Sequence, residues 1–422
     1  MSKIKYYTKQ LIIFGTSKSA VMFAPIIAAS TLSTQNYGLL EWSLSASIMF
    51  AVAVSLGSGG VIAFEVVKDE HSPIISISMI YTAILSFFLA ATGLISYIIH
   101  LSNQLTFFLM FSGLFVAQFS LSAFMKAKGA GAYATIIDSL VYILIFLLAI
   151  FATSKNKDEF QYIIIFSVSA FFLSFIIYFL SNIKKNYFET SKFFLFLRRG
   201  IPIMLSSLMA IGFINLPRVL LGEFDSFEKV AEFSLLFRWA ALALVVYQFI
   251  VVIKFKEIYK SELHQIDRYF AFISIAIFFI GFAIILILNF LNTIFNELPF
   301  ATPPHNFIFQ SFMATSIALW VLSTSLEGVF YREHLAKYQF YSSLIGVLIF
   351  LGIFSIIKNF YCITIFTVLL SWISGFCITI VTQFYFLNTK IYASTKSSFK
   401  NIKSVFLIIL VAQFALSIIG RL

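Results

Sequence analysis

The stretch GIPIMLSSLMAIGFINLPRVLLGEFDSFEKVAEFSLLFRWAALALVVYQFIVVI, residues Gly200–Ile253, decides the architecture of this chain. It holds two apolar runs, Ile201–Gly222 and Val230–Ile253, each long enough to cross a bilayer as a helix of about 20 residues. Lys184, Lys185, Lys192, Arg198 and Arg199 form a basic approach to the first run. Each run carries one arginine, Arg218 and Arg238, and Pro217 interrupts the first two residues after Asn215. A charged side chain in hydrocarbon costs several kcal/mol unless it faces protein or water, so these arginines require a physical reason.

Working outward, the whole chain has the same character. Of its 422 residues 60% are hydrophobic and 11% charged, with a mean hydropathy of +0.97. A soluble fold has no place for so much apolar surface, whereas a polytopic membrane protein turns it toward lipid. The predicted fold class is therefore an all-α polytopic membrane protein. The expected spans of the first half are Leu11–Thr31, Leu39–Phe64, Ile74–Ile99, Leu105–Met125, Tyr133–Thr153 and Tyr162–Ser181. Those of the second are Ile201–Gly222, Val230–Ile253, Tyr269–Leu291, Phe307–Gly328, Tyr338–Ile357 and Tyr361–Phe386. A short thirteenth run, Ser404–Gly420, follows.

The formal charge of +11 invites a nucleic-acid reading. The positions of the basic residues argue otherwise. With the N-terminus placed in the cytoplasm, only Lys155, Lys157, Lys229, Lys358 and Arg421 fall on the far side, and three more lie within spans. The remainder fall on the near side. This asymmetry is the positive-inside rule, which fixes orientation and accounts for the charge with no nucleic-acid partner. Lys3, Lys5 and Lys9 ahead of Leu11–Thr31 mark an uncleaved first helix, because that apolar run exceeds a signal-peptide core.

The basic segment 182–200 divides the chain into an N-terminal lobe, 1–181, and a C-terminal lobe, 201–387, with a basic and apolar tail at 388–422. The lobes share features. Spans one and seven each contain a proline, Pro25 and Pro217, expected to kink the helix, and a cation, Lys18 and Arg218. The text Tyr37-Gly38-Leu39-Leu40 is answered by Phe233-Ser234-Leu235-Leu236. Two six-span repeats in the same orientation imply a pseudo-two-fold axis along the membrane normal, a design in which transporters bind near the midplane.

Catalytic signatures are missing from the sequence. Gly57-Ser58-Gly59-Gly60 lacks the lysine of a phosphate-binding loop, and its small residues point to close helix approach. The five histidines have no metal-ligand spacing, and no metal or cofactor is expected. Cys362 and Cys377 lie in one run, roughly 22 Å apart along a helix, too far for a disulfide within it. The informative residues are those ionisable within spans. Lys18 lies about seven residues (roughly 11 Å) from the inner edge, and Arg238 about eight (roughly 12 Å) from the outer one. Both sit near the limit of snorkelling. Arg218 is about four residues from the outer end, with Asn215 one turn before it on the same face. These four residues are the candidate lining of a cationic cavity. The acids Glu41, Asp138 and Glu327 are either interface residues or gating and proton- or sodium-coupling groups.

Two segments carry a family resemblance. The first runs through Gly15, Pro25, Ala28-Ala29 and Leu32-Ser33-Thr34-Gln35-Asn36-Tyr37-Gly38-Leu39-Leu40 to Gly57–Gly60. The second runs through Gly200-Ile201-Pro202, Pro217-Arg218-Val219-Leu220-Leu221-Gly222, Val230-Ala231-Glu232-Phe233-Ser234-Leu235 and Arg238. In these the chain resembles the polysaccharide-flippase (Wzx-type) branch of the multidrug/oligosaccharidyl-lipid/polysaccharide exporter superfamily. Glu65 departs from it, ending span two where a basic residue is common.

The resemblance implies a MATE-like fold in the bacterial inner membrane. It also implies translocation of an undecaprenyl-pyrophosphate-linked oligosaccharide, an O-antigen unit or relative, by alternating access. Polysaccharide polymerase and other assembly proteins would be its partners, besides membrane lipid. A cavity edged by Lys18, Arg218 and Arg238 suits an anionic pyrophosphate. The alternatives are a drug/cation antiporter, which would favour an acidic cavity, and a membrane polymerase or glycosyltransferase. The latter would want large outer loops, and the expected ones are short.

Overall fold

The computed structural model describes residues 3–151, 159–181, 190–295, 306–333, 335–360, 362–390 and 399–419. All regular structure in them is α-helical, as lipid demands of a chain with no closed sheet to satisfy its amides. The helices are α1 (Lys3–Thr31), α2 (Thr34–Val54), α3 (Ser58–Lys68), α4 (Pro73–Ile98), α5 (Asn103–Ala127), α6 (Gly131–Asp138), α7 (Leu140–Phe151) and α8 (Glu159–Leu180). They continue as α9 (Thr190–Phe224), α10 (Phe227–Lys260), α11 (Leu263–Phe295), α12 (Phe307–Arg332), α13 (Ala336–Phe360), α14 (Ile365–Lys390) and α15 (Lys400–Ile419). Eleven helices are long and apolar enough to cross a membrane, or twelve if the bent pair α6–α7 is one span. The chain is a multi-pass membrane protein. The short last run is among them, as α15.

Two expected spans are not single helices. The run Leu39–Phe64 is divided into α2 and α3 by Leu56 and Gly57, both left-handed at φ 51° and 73°. The run Tyr133–Thr153 is divided at Ser139, and α6 and α7 meet at 54°. At that break the carbonyl of Asp138 accepts the side-chain amide of Gln118 from α5.

The chain forms two compact units, Met1–Val219 and Leu220–Leu422, dividing inside α9. In unit 1 the buried centre is α5, where Met110, Phe111, Leu114, Phe115, Val116 and Ala117 are enclosed. Among lipid tails no hydrophobic force drives helices together, so small residues and hydroxyls do that work. Ser47 donates to the Phe108 carbonyl at 2.7 Å and Ser86 to that of Gly113 at 2.7 Å. Ser174 bridges to Ser86 at 2.8 Å.

In unit 2 the same place is taken by α12, enclosed at Met313, Ala314, Ile317, Ala318, Leu319, Val321 and Leu322. Hydrogen bonds tie it to its neighbours at three heights. Asn289 of α11 donates to Gln310 at 2.8 Å. Gln413 of α15 accepts from Thr315 at 2.7 Å and donates to Ser311 at 3.2 Å. Gln383 of α14 donates to the Ser323 carbonyl at 3.1 Å and to Gln339 of α13 at 2.7 Å. Both α5 and α12 hold the fourth expected span of their half of the chain.

Candidate functional site

The candidate residues of unit 1 fall into two groups. The first joins α2 to α9. Ser33 caps α2, its hydroxyl accepting from the Asn36 amide at 3.3 Å, and Tyr37 and Glu41 follow one turn apart. Both are buried, and the Tyr37 hydroxyl donates to Glu41 Oε1 at 3.1 Å. From α9, Arg218 Nε reaches Glu41 Oε2 at 3.5 Å, with side-chain exposures of 3% and 1%. Asn215, one turn before Arg218, accepts from its guanidinium at 3.5 Å and donates to the Ile211 carbonyl at 2.9 Å. Arg218 is thus a buried, paired cation with no need to snorkel. The pair brings Arg218, Asn215 and Glu41 into one network, to which Tyr37 is an addition. The Tyr37–Glu41 spacing of four residues, which puts both on one helical face, was the signal available for it.

The second group lies on α1, α5 and α6. Asp138, at the α6–α7 bend, pairs with Lys126 at 2.6 Å. Lys18 of α1 is half-buried, its Nζ 5.8 Å from the Phe14 ring, and the charges of Asp138 and Lys126 reach it. Beside it Gly15, Thr16 and Ser19 are exposed along α1, an uncommonly polar face for a helix in lipid. The Cβ of an alanine at Gly15 would meet nothing within 4 Å.

A buried ion pair of unit 1 escaped sequence reasoning. Glu65, only 3% exposed, pairs with Arg199 of α9, and Ser72 donates to its other oxygen at 2.8 Å. An acid in a place where the resembled family has a base was its one signal.

In unit 2 Arg238 is buried on α10. Its helix neighbours Phe233 and Phe237 pack on Trp372, with ring centroids 6.0 and 6.3 Å apart, and Phe237 lies 6.4 Å from Trp320. Glu327 of α12 is half-buried and its charge reaches Tyr247, whose hydroxyl is 3.4 Å from Ser325. Helices α1 and α9 run on through Pro25 and Pro217.

A cavity of about 70 Å³ in unit 1 is lined by Leu32, Leu40, Phe107, Ile145 and Phe166 among others, with Thr31 and Asn36 the polar contributors. Among the described residues no three His, Cys, Asp or Glu side chains converge to hold a metal.

No family model matches the chain, and no curated protein matches it in sequence. Among solved structures it is similar to the lipid II flippase MurJ in an inward closed conformation, with TM-score 0.61 and 14% identity over 97% of this chain and 92% of that one. It is also similar to a multidrug resistance MATE family transporter of the MOP superfamily, with TM-score 0.50 and 13% identity in both its outward-facing and inward-facing conformations. Those two matches cover 92% and 94% of this chain and 95% of the other in each case. At such identities the likeness is one of fold, and the fold is MATE-like.

Proposed function

We propose that this chain is a flippase that carries an undecaprenyl-pyrophosphate-linked oligosaccharide, an O-antigen or related surface-polysaccharide unit, across the bacterial inner membrane by alternating access. The supporting observation is a set of cations held inside apolar spans. Arg218 is 2% exposed and Arg238 7%, and Lys18 is half-buried beside the exposed Gly15, Thr16 and Ser19. Cations at that depth favour an anionic head group. The likeness to a lipid II flippase agrees, since lipid-linked substrates leave the tail in the bilayer while the head crosses.

In this reading Lys18, Arg218, Arg238 and Asn215 are the substrate-binding residues, and the protein transports rather than catalyses. Glu41, Asp138 and Glu327 are its gating or proton- or sodium-coupling groups. The working halves are 1–181 and 201–387, joined by the basic linker 182–200, with the N-terminus in the cytoplasm. Polysaccharide polymerase and other assembly proteins act on the same substrate. A drug/cation antiporter would favour an acidic cavity, whereas Lys18 and Arg238 are the charges set deepest in their spans.

The test is Arg238→Ala, expressed at normal membrane levels. Surface polysaccharide is expected to be lost while lipid-linked units accumulate facing the cytoplasm. Full polysaccharide would overturn the cationic reading. Retained activity in Arg238→Lys would assign Arg238 a charge role rather than a bidentate one.

A further inference from the structure

The break in the second span meets α9 in a way that a packing defect would not produce. Leu56 carries a side chain at φ 51°, a conformation that is rare outside glycine and persists only where the surroundings impose it. The carbonyl of Val54, freed by the break, accepts the Tyr81 hydroxyl at 2.6 Å. Beyond the break α3 is fixed to α5: Ser58 and Ser120 hydroxyls lie 3.3 Å apart, and the Cβ of an alanine at Gly59 would come within 3.4 Å of the Phe119 carbonyl. The elbow is therefore a rigid seat.

The first part of α9 docks on that seat through three contacts. At the backbone, a Cβ on Gly57 would overlap the Gly200 carbonyl, and one on Gly200 would overlap the Leu56 carbonyl, so both glycines are required. At the side chains, Phe196 is wholly buried with Val61 and Ile74 in an apolar cluster separate from the main core of the unit, with Leu56, Tyr81, Phe193, Leu195 and Leu197 around it. Across the contact, Arg199 pairs with the buried Glu65, whose second oxygen Ser72 occupies. A small cluster, one glycine pair and one ion pair make a joint that closes in a defined register and opens without disturbing the main core.

We infer that this joint is a latch, on the side that the charge asymmetry assigns to the cytoplasm. Glu65 and Arg199 hold α9 shut on the α2–α3 elbow, and their separation opens that side. The inference rests on the transport reading, but its test does not use transport.

Residues Cys362 and Cys377 are replaced by serine and Leu195, half-buried in the cluster, by cysteine. Labelling by a membrane-impermeant maleimide is then followed on inside-out vesicles. In this parent, labelling is expected to be slow. Glu65→Gln and Arg199→Gln are expected to speed it about tenfold, equivalent to about 1.4 kcal/mol. The exchanged pair Glu65→Arg with Arg199→Glu should return it toward the parent rate. Gly200→Ala, which acts on the backbone contact alone, should open the joint as well. Where Glu65→Gln does not reach the membrane, Arg199→Gln carries the comparison, since Arg199 is half exposed. Labelling within twofold of the parent in the variants that do reach it would overturn the latch. Normal labelling results with no movement of lipid-linked saccharide by the parent would instead refute the transport reading.

Discussion

Asp267 should decide whether the last helix stays docked at its start. It lies on α11, 3% exposed, and its carboxylate faces the first turn of α15. Oδ2 accepts the Asn401 amide at 3.0 Å and the Asn401 side chain at 2.9 Å, and Oδ1 accepts the Ile402 amide at 2.9 Å. The first amides of a helix have no partner within it, so a carboxylate from another helix is capping α15 from outside. A lost cap costs about 0.5–2 kcal/mol, and loss of a partly buried negative charge at a helix N-terminus up to about 2 kcal/mol more. Asp267→Ala should therefore weaken docking of the first turns by about 0.5–4 kcal/mol. Asp267→Asn keeps one acceptor and should lose roughly half of that. The assay is hydrogen exchange of the amides of 399–419 in the purified protein. Protection of the first turns should fall by between about twofold and about 1,000-fold in Asp267→Ala. Protection around Gln413 should hold, because Thr315 and Ser311 anchor that end separately. Equal exchange in variant and wild type would refute the capping role. Uniform loss along α15 would show that the helix docks as one block.

Two further outcomes follow from buried contacts. Removing one member of the Glu41–Arg218 pair leaves an uncompensated buried charge, so Arg218→Ala should cost about 3–5 kcal/mol in detergent-solubilised thermal stability, whereas Glu41→Leu with Arg218→Met should cost much less; equal losses in the single and double variants would refute that account. Gly346→Ala puts a methyl against Thr379 Oγ1 and within 2.9 Å of the Gly375 carbonyl. It should lower stability by about 1–3 kcal/mol, with part of the loss recovered on adding Thr379→Ala, and no loss at all would show that α13 and α14 can move apart at that point.

The helices were legible because lipid imposes one strong constraint, a long apolar run, and the chain meets it repeatedly. The two breaks were not legible. Leu39–Phe64 is long and mostly apolar, so its glycines read as close helix packing, whereas Leu56 and Gly57 break it where the backbone of α9 at Gly200 comes close. The break at Ser139 meets a glutamine from α5, which no local pattern in α6 announces. Sequence depth flagged Glu41 and Arg218 separately as polar groups in apolar runs. Their pairing is a tertiary fact between helices far apart in the chain, so Arg218 could be ranked by distance from the edge but not by partner. Glu65 was legible only as a departure from a resembled family, and its meaning came with Arg199.

The glutamines around α12 act as index marks. A helix in lipid can rotate or slide against smooth apolar neighbours at small cost. A shift of one residue, about 1.5 Å along the axis, would move Gln310, Thr315 and Ser323 away from Asn289, Gln413 and Gln383 at the same time. The side-chain partners at Gln310 and Thr315 favour the observed register over a neighbouring one. Helices α11, α12, α14 and α15 are therefore keyed to one another through polar pegs, and a displacement of α12 along its axis would have to break these bonds or carry those neighbours with it.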